Sequence, residues 1–135
     1  MYKASTQIRV RYAETDQMGY VYYGNYATYY EIARVETLRQ LGFSYKSLEE
    51  AGVMMPVRDL NSEYHSPATY DELLSIEVTI PSLPSARMIF DYKITNEKDK
   101  LINSGKTTLV FIDMKKNRPT RAPEAVLSVL RPFFE

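Results

Sequence analysis

The segment Asp16–Tyr26, with the sequence DQMGYVYYGNY, contains the groups in this chain that are best suited to chemistry. Asp16 supplies a carboxylate, which can activate a water molecule or attack a carbonyl carbon directly. A few residues later the chain enters a predicted helix, and the free N–H groups near Tyr23 and Gly24 could hold a developing oxyanion. Together these groups could carry out acyl transfer, for example at a thioester carbonyl. The pattern alone also fits a simpler role for Asp16, because aspartates in loops commonly close turns or cap helices.

The residue inventory excludes most other catalytic arrangements. The chain has no cysteine, so disulfides, zinc–thiolate sites and a cysteine nucleophile are excluded. It has one histidine, His65, which is too few for a zinc site built from two or three histidines. The sequence contains no G-x-S-x-G elbow, no Walker loop and no G-x-G-x-x-G motif. We therefore expect carboxylate chemistry without a metal or a cofactor, and we expect His65 to be a surface or hydrogen-bonded residue.

Length, composition and charge predict a single globular domain over residues 1–135. Hydrophobic residues make up 44% of the chain and charged residues 25%, the usual balance of a soluble protein. Seventeen basic residues balance seventeen acidic ones, whereas a nucleic-acid binder usually shows a basic excess. No apolar run has the length of a signal peptide or a membrane span. These features predict a cytoplasmic protein that does not bind nucleic acid.

The longest periodic segment predicts a helix from Tyr26 to Leu41 directly after the Asp16 loop. Asn25 is a suitable N-cap residue, and Gly42 can adopt the left-handed conformation that ends a helix. Residues at three- and four-residue steps form its expected buried face: Tyr26, Tyr29, Tyr30, Ala33, Thr37, Leu38 and Leu41. Opposite charges three residues apart predict two surface ion pairs, Glu31 with Arg34 and Glu36 with Arg39.

Five strands are predicted around this helix by alternating or β-rich segments: residues 6–13, 53–65, 72–80, 87–95 and 101–112. In the first of them, Ile8, Val10 and Tyr12 are expected on one face. Shorter helices are predicted at 45–51 and 124–130. Because the turns between the later strands are short, an antiparallel sheet is favoured, with its apolar face on the long helix. The predicted fold class is therefore α+β, a curled antiparallel sheet packed on one helix.

The segment DQMGYVYYGNY resembles the signature of the 4-hydroxybenzoyl-CoA thioesterase-like branch of the hotdog-fold thioesterases. That signature reads D-x-x-G-x-V-x-(Y/H)-x-x-Y, and the matching positions here are Asp16, Gly19, Val21, Tyr23 and Tyr26. The helix sequence YYEIARVETLRQLGF and the segment EYHSPATYDELLSIEV, with Pro67 and Asp71, are also similar to the family. The resemblance covers about residues 6–120. It implies a five-stranded antiparallel sheet wrapped around the long helix, and homodimers or homotetramers (dimers of dimers) with active sites between subunits.

The resemblance also implies an enzyme, a thioesterase that hydrolyses an acyl-coenzyme A to the free acid and coenzyme A. Asp16 would be the catalytic carboxylate, as base or as nucleophile, with Tyr23 and Gly24 at the oxyanion end. The residues expected to bind substrate are Gly19, Val21, Tyr22, Tyr26, Tyr30 and Arg87. Arg87 is the one basic residue in the PSAR turn, where a related subfamily has several that hold the coenzyme A nucleotide. Basic residues between 115 and 121 could share that role.

Three alternatives to acyl-coenzyme A hydrolysis are considered from the sequence. A hotdog-fold hydratase is disfavoured, because Val21 stands where that group carries a histidine. A non-catalytic acyl-thioester binding or sensor protein would need the same pocket without the carboxylate. A thioesterase acting on acyl-carrier protein would need the same carboxylate with a different carrier. The acyl group is expected to be small or medium in size, with aromatic groups included.

Overall fold

The computed structural model describes residues 1–135. Five long strands form most of the sheet: β1 (Tyr2–Arg9), β3 (Val57–Tyr64), β4 (Leu73–Ile80), β5 (Arg87–Thr95) and β6 (Leu101–Asp113). Two short strands, β2 (Val53–Met54) and β7 (Arg118–Thr120), pair with the far end of β6. The helices are α1 (Asn25–Gln40), α2 (Tyr45–Glu50) and α3 (Glu124–Leu130), with 3₁₀ turns at Tyr12–Glu14 and Arg131–Phe133.

The sheet is antiparallel throughout and curls around α1. Its long strands lie in the order β1-β4-β5-β6-β3, so β1 and β3 are the two edges. The chain leaves one edge strand, crosses the sheet as α1, and returns at the opposite edge. This arrangement confirms the predicted α+β fold, the hotdog architecture with five long antiparallel strands. The strand predicted over 53–65 is divided into β2 and β3, and β7 was not predicted.

The alternation of apolar and polar residues along β4 and β5 predicted the core correctly. One face of β4 and β5 is fully or almost fully buried, through Leu74, Ile76, Val78, Ile80, Met88, Phe90, Tyr92 and Ile94. These side chains belong to the same apolar cluster as the buried face of α1. Period-two and period-3.6 patterns that face one another are what a sheet packed on a helix requires. No helix in the chain is both long enough and apolar enough to cross a membrane.

The first strand was predicted too late in the sequence. β1 begins at Tyr2 and ends at Arg9, because its residues pair one for one with β4 from Ile80 back to Leu73. Val10 is buried but follows the strand, and Tyr12, predicted on the same strand face, belongs to the following 3₁₀ turn and is 74% exposed. Pairing with a distant strand, which local alternation does not reveal, therefore fixed the limits of β1.

The two ends of α1 differ in how well they were predicted. Gly42 has a φ of +99° and follows the last turn, where Phe43 N–H donates to the Leu38 carbonyl at 3.1 Å. This is the glycine-terminated helix end that was expected. The N-cap was wrong, because Gly24 occupies that position and Asn25 is already helical. The Asn25 side chain instead donates to the Glu14 carbonyl at 2.8 Å.

Of the two ion pairs predicted on α1, only that of Glu36 with Arg39 forms. Arg34 is 6% exposed and forms no ion pair with Glu31. Its guanidinium donates to the hydroxyls of Tyr45 on α2 and Tyr92 on β5. Arg34 therefore belongs to the buried face of α1, and the tyrosine oxygens satisfy a charge that would otherwise be costly to bury.

Candidate active site

Asp16 opens a tight turn that ends at Tyr20. Its Oδ1 accepts hydrogen bonds from the N–H groups of Met18 at 3.0 Å and Tyr20 at 3.2 Å. Gly19 completes the turn with a φ of +82°, a conformation that glycine adopts without steric cost. The other carboxylate oxygen of Asp16, Oδ2, accepts no hydrogen bond from the protein. Asp16 therefore closes a turn through one oxygen and keeps the second one available.

The start of α1 presents two N–H groups close to this turn in the sequence. Tyr22 N–H donates to the Glu14 carbonyl at 2.9 Å, and Asn25 N–H donates to the Tyr22 carbonyl at 2.9 Å. Between them, the N–H groups of Tyr23 and Gly24 have no backbone acceptor. Free N–H groups at a helix start carry partial positive charge and bind anions. These are the two groups that the sequence predicted as oxyanion donors.

A cavity of about 430 Å³ lies between the Asp16 turn, the start of α1 and the end of β3. It is lined by Asp16, Met18, Tyr20, Val21, Tyr23, Tyr26, Tyr64, His65, Ser66 and Pro67. Its walls are largely aromatic. Burial raises the pKa of Tyr26 to about 12, so its phenol stays neutral at ordinary pH. The cavity thus contains one carboxylate beside a mostly apolar wall, which is the arrangement expected of a site that binds an uncharged acyl group.

The structure brings together four of the predicted site residues in this cavity: Asp16, Val21, Tyr23 and Tyr26. Gly19 and Gly24 do not line the cavity, but they belong to the Asp16 turn and the start of α1 beside it. Tyr22 stands beside Tyr23, with ring centroids 4.7 Å apart, but does not line the cavity.

Two predicted substrate-binding residues lie elsewhere in the chain. Tyr30 is fully buried and its hydroxyl bonds Ser62 and Asn103. Arg87 is exposed at the start of β5 and pairs with Val110, whereas Tyr64 pairs with Asn103 on the same strand β6. At about 3.3 Å per residue, these positions are roughly 20 Å apart along the strand. Arg87 therefore does not reach this cavity within one chain.

The lining residues that sequence reasoning missed come mainly from the end of β3. Tyr64, Ser66 and Pro67 enter the cavity because β3 pairs with β6, and no local pattern signals that approach. His65 also lines it, and its Nε2 lies 2.8 Å from Ser104 Oγ. This confirms the expectation of an exposed, hydrogen-bonded histidine. No group of three or more histidine, aspartate or glutamate side chains is arranged to hold a metal ion.

Glu14, two positions before Asp16, is a buried carboxylate that the sequence did not single out. Its side chain is 9% exposed. Oε1 accepts from the Tyr29 hydroxyl at 2.8 Å and from Arg11 N–H at 3.0 Å, and Oε2 accepts from Arg11 Nε at 2.9 Å. Burial alone raises the pKa of Glu14, but the hydrogen bonds from Arg11 and Tyr29, with the charge of Arg11, hold it below its ordinary value of 4.5. Glu14 is therefore ionised at neutral pH.

Replacement of Glu14 by glutamine is expected to make stability less sensitive to acid. Ionised Glu14 stabilises the folded protein above the pKa of the unfolded carboxyl group, and this contribution is lost as pH falls through the lower folded pKa. The wild type should therefore exceed Glu14→Gln in free energy of unfolding above the ordinary pKa of 4.5, and the gap should close as pH falls through the lower pKa of folded Glu14. Urea denaturation at a series of pH values from neutral to acid measures the gap.

The control for this measurement is Glu124→Gln. Glu124 also pairs with an arginine, Arg131, and the hydrogen bond from that residue lowers its pKa. Its side chain is 69% exposed, so solvent screens the pair and the pH-dependent change should be smaller. An equal gap for both variants, or a gap for Glu14→Gln that does not change with pH, would contradict the assignment of Glu14 as a buried ionised group.

Comparison with known proteins gives one consistent result. Residues 10–130 match the family model of the thioesterase-like superfamily. The acyl-CoA thioester hydrolase YbgC of Escherichia coli O157:H7 is 34% identical over 121 residues, which are 90% of this chain and 90% of that protein. The putative acyl-CoA thioesterase YneP of Bacillus subtilis is 33% identical over 93% of this chain and 91% of its own length. The crystal structure of a DHNA-CoA thioesterase from Staphylococcus aureus superimposes with a TM-score of 0.88, at 35% identity, over 100% of this chain and 97% of that one.

Proposed function

Since this chain belongs to the thioesterase-like superfamily, we propose that it hydrolyses acyl-coenzyme A thioesters at the cavity around Asp16. The family match confirms the resemblance found in the signature segment. The reaction produces a free carboxylic acid and coenzyme A. It requires a group that activates water or attacks the carbonyl carbon, and a group that stabilises the oxyanion.

The observation that carries this proposal is a carboxylate oxygen and two helix-start N–H groups, in or beside the cavity, that have no hydrogen-bond partner in the protein. Asp16 Oδ2 accepts no hydrogen bond from the protein, and the N–H groups of Tyr23 and Gly24 have no backbone acceptor. A thioester carbonyl oxygen directed at these N–H groups would be polarised, and its negative charge would be stabilised during attack. The same arrangement of free groups on an apolar cavity is what acyl transfer requires.

Asp16 can complete the reaction in either of two ways. As a general base it takes a proton from water while the water oxygen attacks the carbonyl carbon. The tetrahedral intermediate then collapses, the carbon–sulfur bond breaks, and the proton passes to the departing thiolate. As a nucleophile, Asp16 Oδ2 attacks the carbon itself, expels the thiolate and forms an anhydride, which water hydrolyses. Both routes use protein groups and water alone, so we propose that no cofactor is required.

The acyl group would occupy the aromatic part of the cavity. Tyr20, Tyr23, Tyr26 and Tyr64 contribute rings to its lining, and Met18 adds an apolar side chain. A volume of about 430 Å³ lies within the usual range for small-molecule pockets. The rings can pack against a small or medium acyl group, either aliphatic or aromatic.

The unpaired edge of β3 supports assembly of the chain as a homodimer, or as a dimer of dimers. β3 pairs on one side with β6, and its other side has no partner strand. Val57, Leu60 and Tyr64 on this strand are each about half exposed, at 46%, 45% and 54%. A long, partly apolar edge strand is commonly covered by another chain. We propose that Arg87 binds the coenzyme A nucleotide of a site to which a second subunit contributes, and that the enzyme acts in the cytoplasm.

Thiol release from a panel of acyl-coenzyme A thioesters tests the proposed activity. We expect the wild type to release coenzyme A with a kcat/KM of about 10⁴ M⁻¹s⁻¹ or more for its preferred acyl group. Matched acyl-carrier-protein thioesters serve as the competing substrate, and equilibrium binding of each acyl-coenzyme A is measured in parallel. Binding without hydrolysis would favour the sensor alternative, and hydrolysis of carrier-protein thioesters alone would favour the other thioesterase.

A further inference from the structure

We propose that Glu14 is a positioning residue, which holds the Asp16 turn at a fixed distance from the oxyanion-binding start of α1. The inference rests on the proposed function of Asp16, Tyr23 and Gly24. Glu14 does not line the cavity and does not touch the reacting atoms. It acts through the backbone and through the side chains that it binds.

Both the side chain and the backbone carbonyl of Glu14 accept hydrogen bonds from residues in α1 or just before it. Its side chain accepts a hydrogen bond from the Tyr29 hydroxyl at 2.8 Å, in the second turn of the helix. Its backbone carbonyl accepts from Asn25 Nδ2 at 2.8 Å, in the first turn, and from Tyr22 N–H at 2.9 Å. Tyr22, Asn25 and Tyr29 therefore all donate hydrogen bonds to Glu14. Tyr22 and Asn25 lie on either side of Tyr23 and Gly24 in the sequence.

A third contact ties Glu14 to Arg11, the residue that precedes its 3₁₀ turn. The Arg11 side chain and backbone N–H both donate to the Glu14 carboxylate. A buried carboxylate is costly unless hydrogen bonds and an opposite charge compensate it. At this position the carboxylate has both, and its partners come from two different parts of the chain. The Glu14 carboxylate therefore links Arg11, which precedes the 3₁₀ turn, to Tyr29 on α1.

The Asp16 turn has few other attachments to α1. Its internal bonds join Asp16 with Met18, Gly19 and Tyr20, and these would persist without Glu14. On the far side, Val21 N–H donates to the Ala68 carbonyl at 2.8 Å, next to the isolated bridge between Tyr20 and Thr69. Weakening the Glu14 side-chain contacts to Tyr29 and Arg11 would leave the turn and the two backbone-carbonyl bonds in place, but would hold the turn less tightly against the helix. Displacement of a reacting group by about 1 Å can lower a rate by about 10²-fold.

The test is Glu14→Gln, which keeps the size of the side chain but removes its charge. We expect kcat to fall by about 10-fold or more while KM changes by less than about 3-fold. Tyr29→Phe should act in the same direction, and the double variant should lose less than the product of the two single effects. The matched control is Tyr92→Phe, which removes a buried hydroxyl bonded to Arg34 and Thr107, away from the turn. Its kcat should stay within about 2-fold of the wild type at a temperature where all variants are folded.

Two further measurements separate positioning from general destabilisation. In an Asp16→Asn background, Glu14→Gln should change the residual rate by less than about 3-fold, because the distance it fixes no longer serves catalysis. Hydrogen exchange at the amides of Arg11 and Tyr22, which donate to Glu14, should accelerate in Glu14→Gln, while amides of β4 and β5 keep their wild-type rates.

Each result decides the proposal. An unchanged kcat with unchanged exchange at Arg11 and Tyr22 would overturn it. Uniformly faster exchange, with activity falling only in proportion to the unfolded fraction, would assign Glu14 a structural role and would also overturn it. If the wild type releases no thiol, the proposed function fails instead, and local exchange at Arg11 and Tyr22 still decides whether Glu14 positions the turn.

Discussion

Replacement of Asp16 by asparagine is expected to lower kcat for acyl-coenzyme A hydrolysis by at least about 10²-fold. The substitution is nearly isosteric, and asparagine Oδ1 can still accept the hydrogen bonds from Met18 and Tyr20 that close the turn. The group placed where Oδ2 lies becomes an amide NH₂, which can neither take a proton from water nor attack a carbonyl carbon. The fall in kcat is therefore expected to come from the loss of the reacting carboxylate, while the turn keeps its shape.

Steady-state thiol release with wild type and Asp16→Asn measures kcat and KM separately. We expect KM to change by less than about 3-fold, since the cavity wall keeps its shape. Asp113→Asn is the control, because Asp113 Oδ1 likewise closes a turn, accepting N–H bonds from Lys115 at 3.0 Å and Lys116 at 3.1 Å. Its kcat should stay within about 2-fold of the wild type. A variant at position 16 with wild-type kcat would reduce Asp16 to a turn residue.

Sequence periodicity predicted the elements that carry the site, because their local patterns agree with their tertiary role. The buried stripe of α1 and the alternating faces of β4 and β5 fold as their spacing indicates. The conformation of Gly42 was also predictable, since a left-handed helix end strongly favours glycine. The signature segment located the turn and the helix start. These predictions required no knowledge of which strands pair.

The sequence pattern could not tell which side chains on the same helix stripe reach the cavity and which lie in the core. Tyr26 and Tyr30 are one helical turn apart on the same stripe, about 6 Å along the axis. Tyr26 reaches the cavity, whereas Tyr30 lies under the middle of the sheet and bonds Asn103. Arg34 was predicted to pair with Glu31 because spacing reports neighbours on a helix but not which face the sheet covers. Long-range pairing also brings Tyr64 to the cavity.

The position of Tyr30 depends on the absence of a side chain at Gly105. Tyr30 stacks on Tyr92 with ring centroids 4.2 Å apart and an interplanar angle of 10°. Its hydroxyl bonds Ser62 on β3 at 2.9 Å and Asn103 on β6. A Cβ added at Gly105 would lie 2.7 Å from the Tyr30 ring carbon Cε2 and closer still to its hydroxyl oxygen. The ring has no free direction, because contacts from β3, β5 and β6 hold it in place.

Gly105→Ala is therefore expected to destabilise the protein by about 3–5 kcal/mol, from overpacking and from buried hydrogen bonds that the displaced tyrosine loses. The thermal midpoint should fall by an amount on the order of 10 °C. Thermal and urea unfolding measure both quantities. Gly24→Ala is the comparison, because its Cβ would meet only the exposed and movable ring of Tyr22 and should cost less than about 1 kcal/mol.

The cause of this loss can be separated by changing the partner. In a Tyr30→Leu background the ring and hydroxyl are absent, while Asn103 Nδ2 still donates to Ser62 at 2.9 Å. Gly105→Ala should then cost at least about 2 kcal/mol less than it does in the wild type, because the groups that collide have been removed. Equal costs in both backgrounds would mean that the alanine disturbs the β6 strand itself. The close approach of α1 to the sheet at Gly105 would then not be what limits this position.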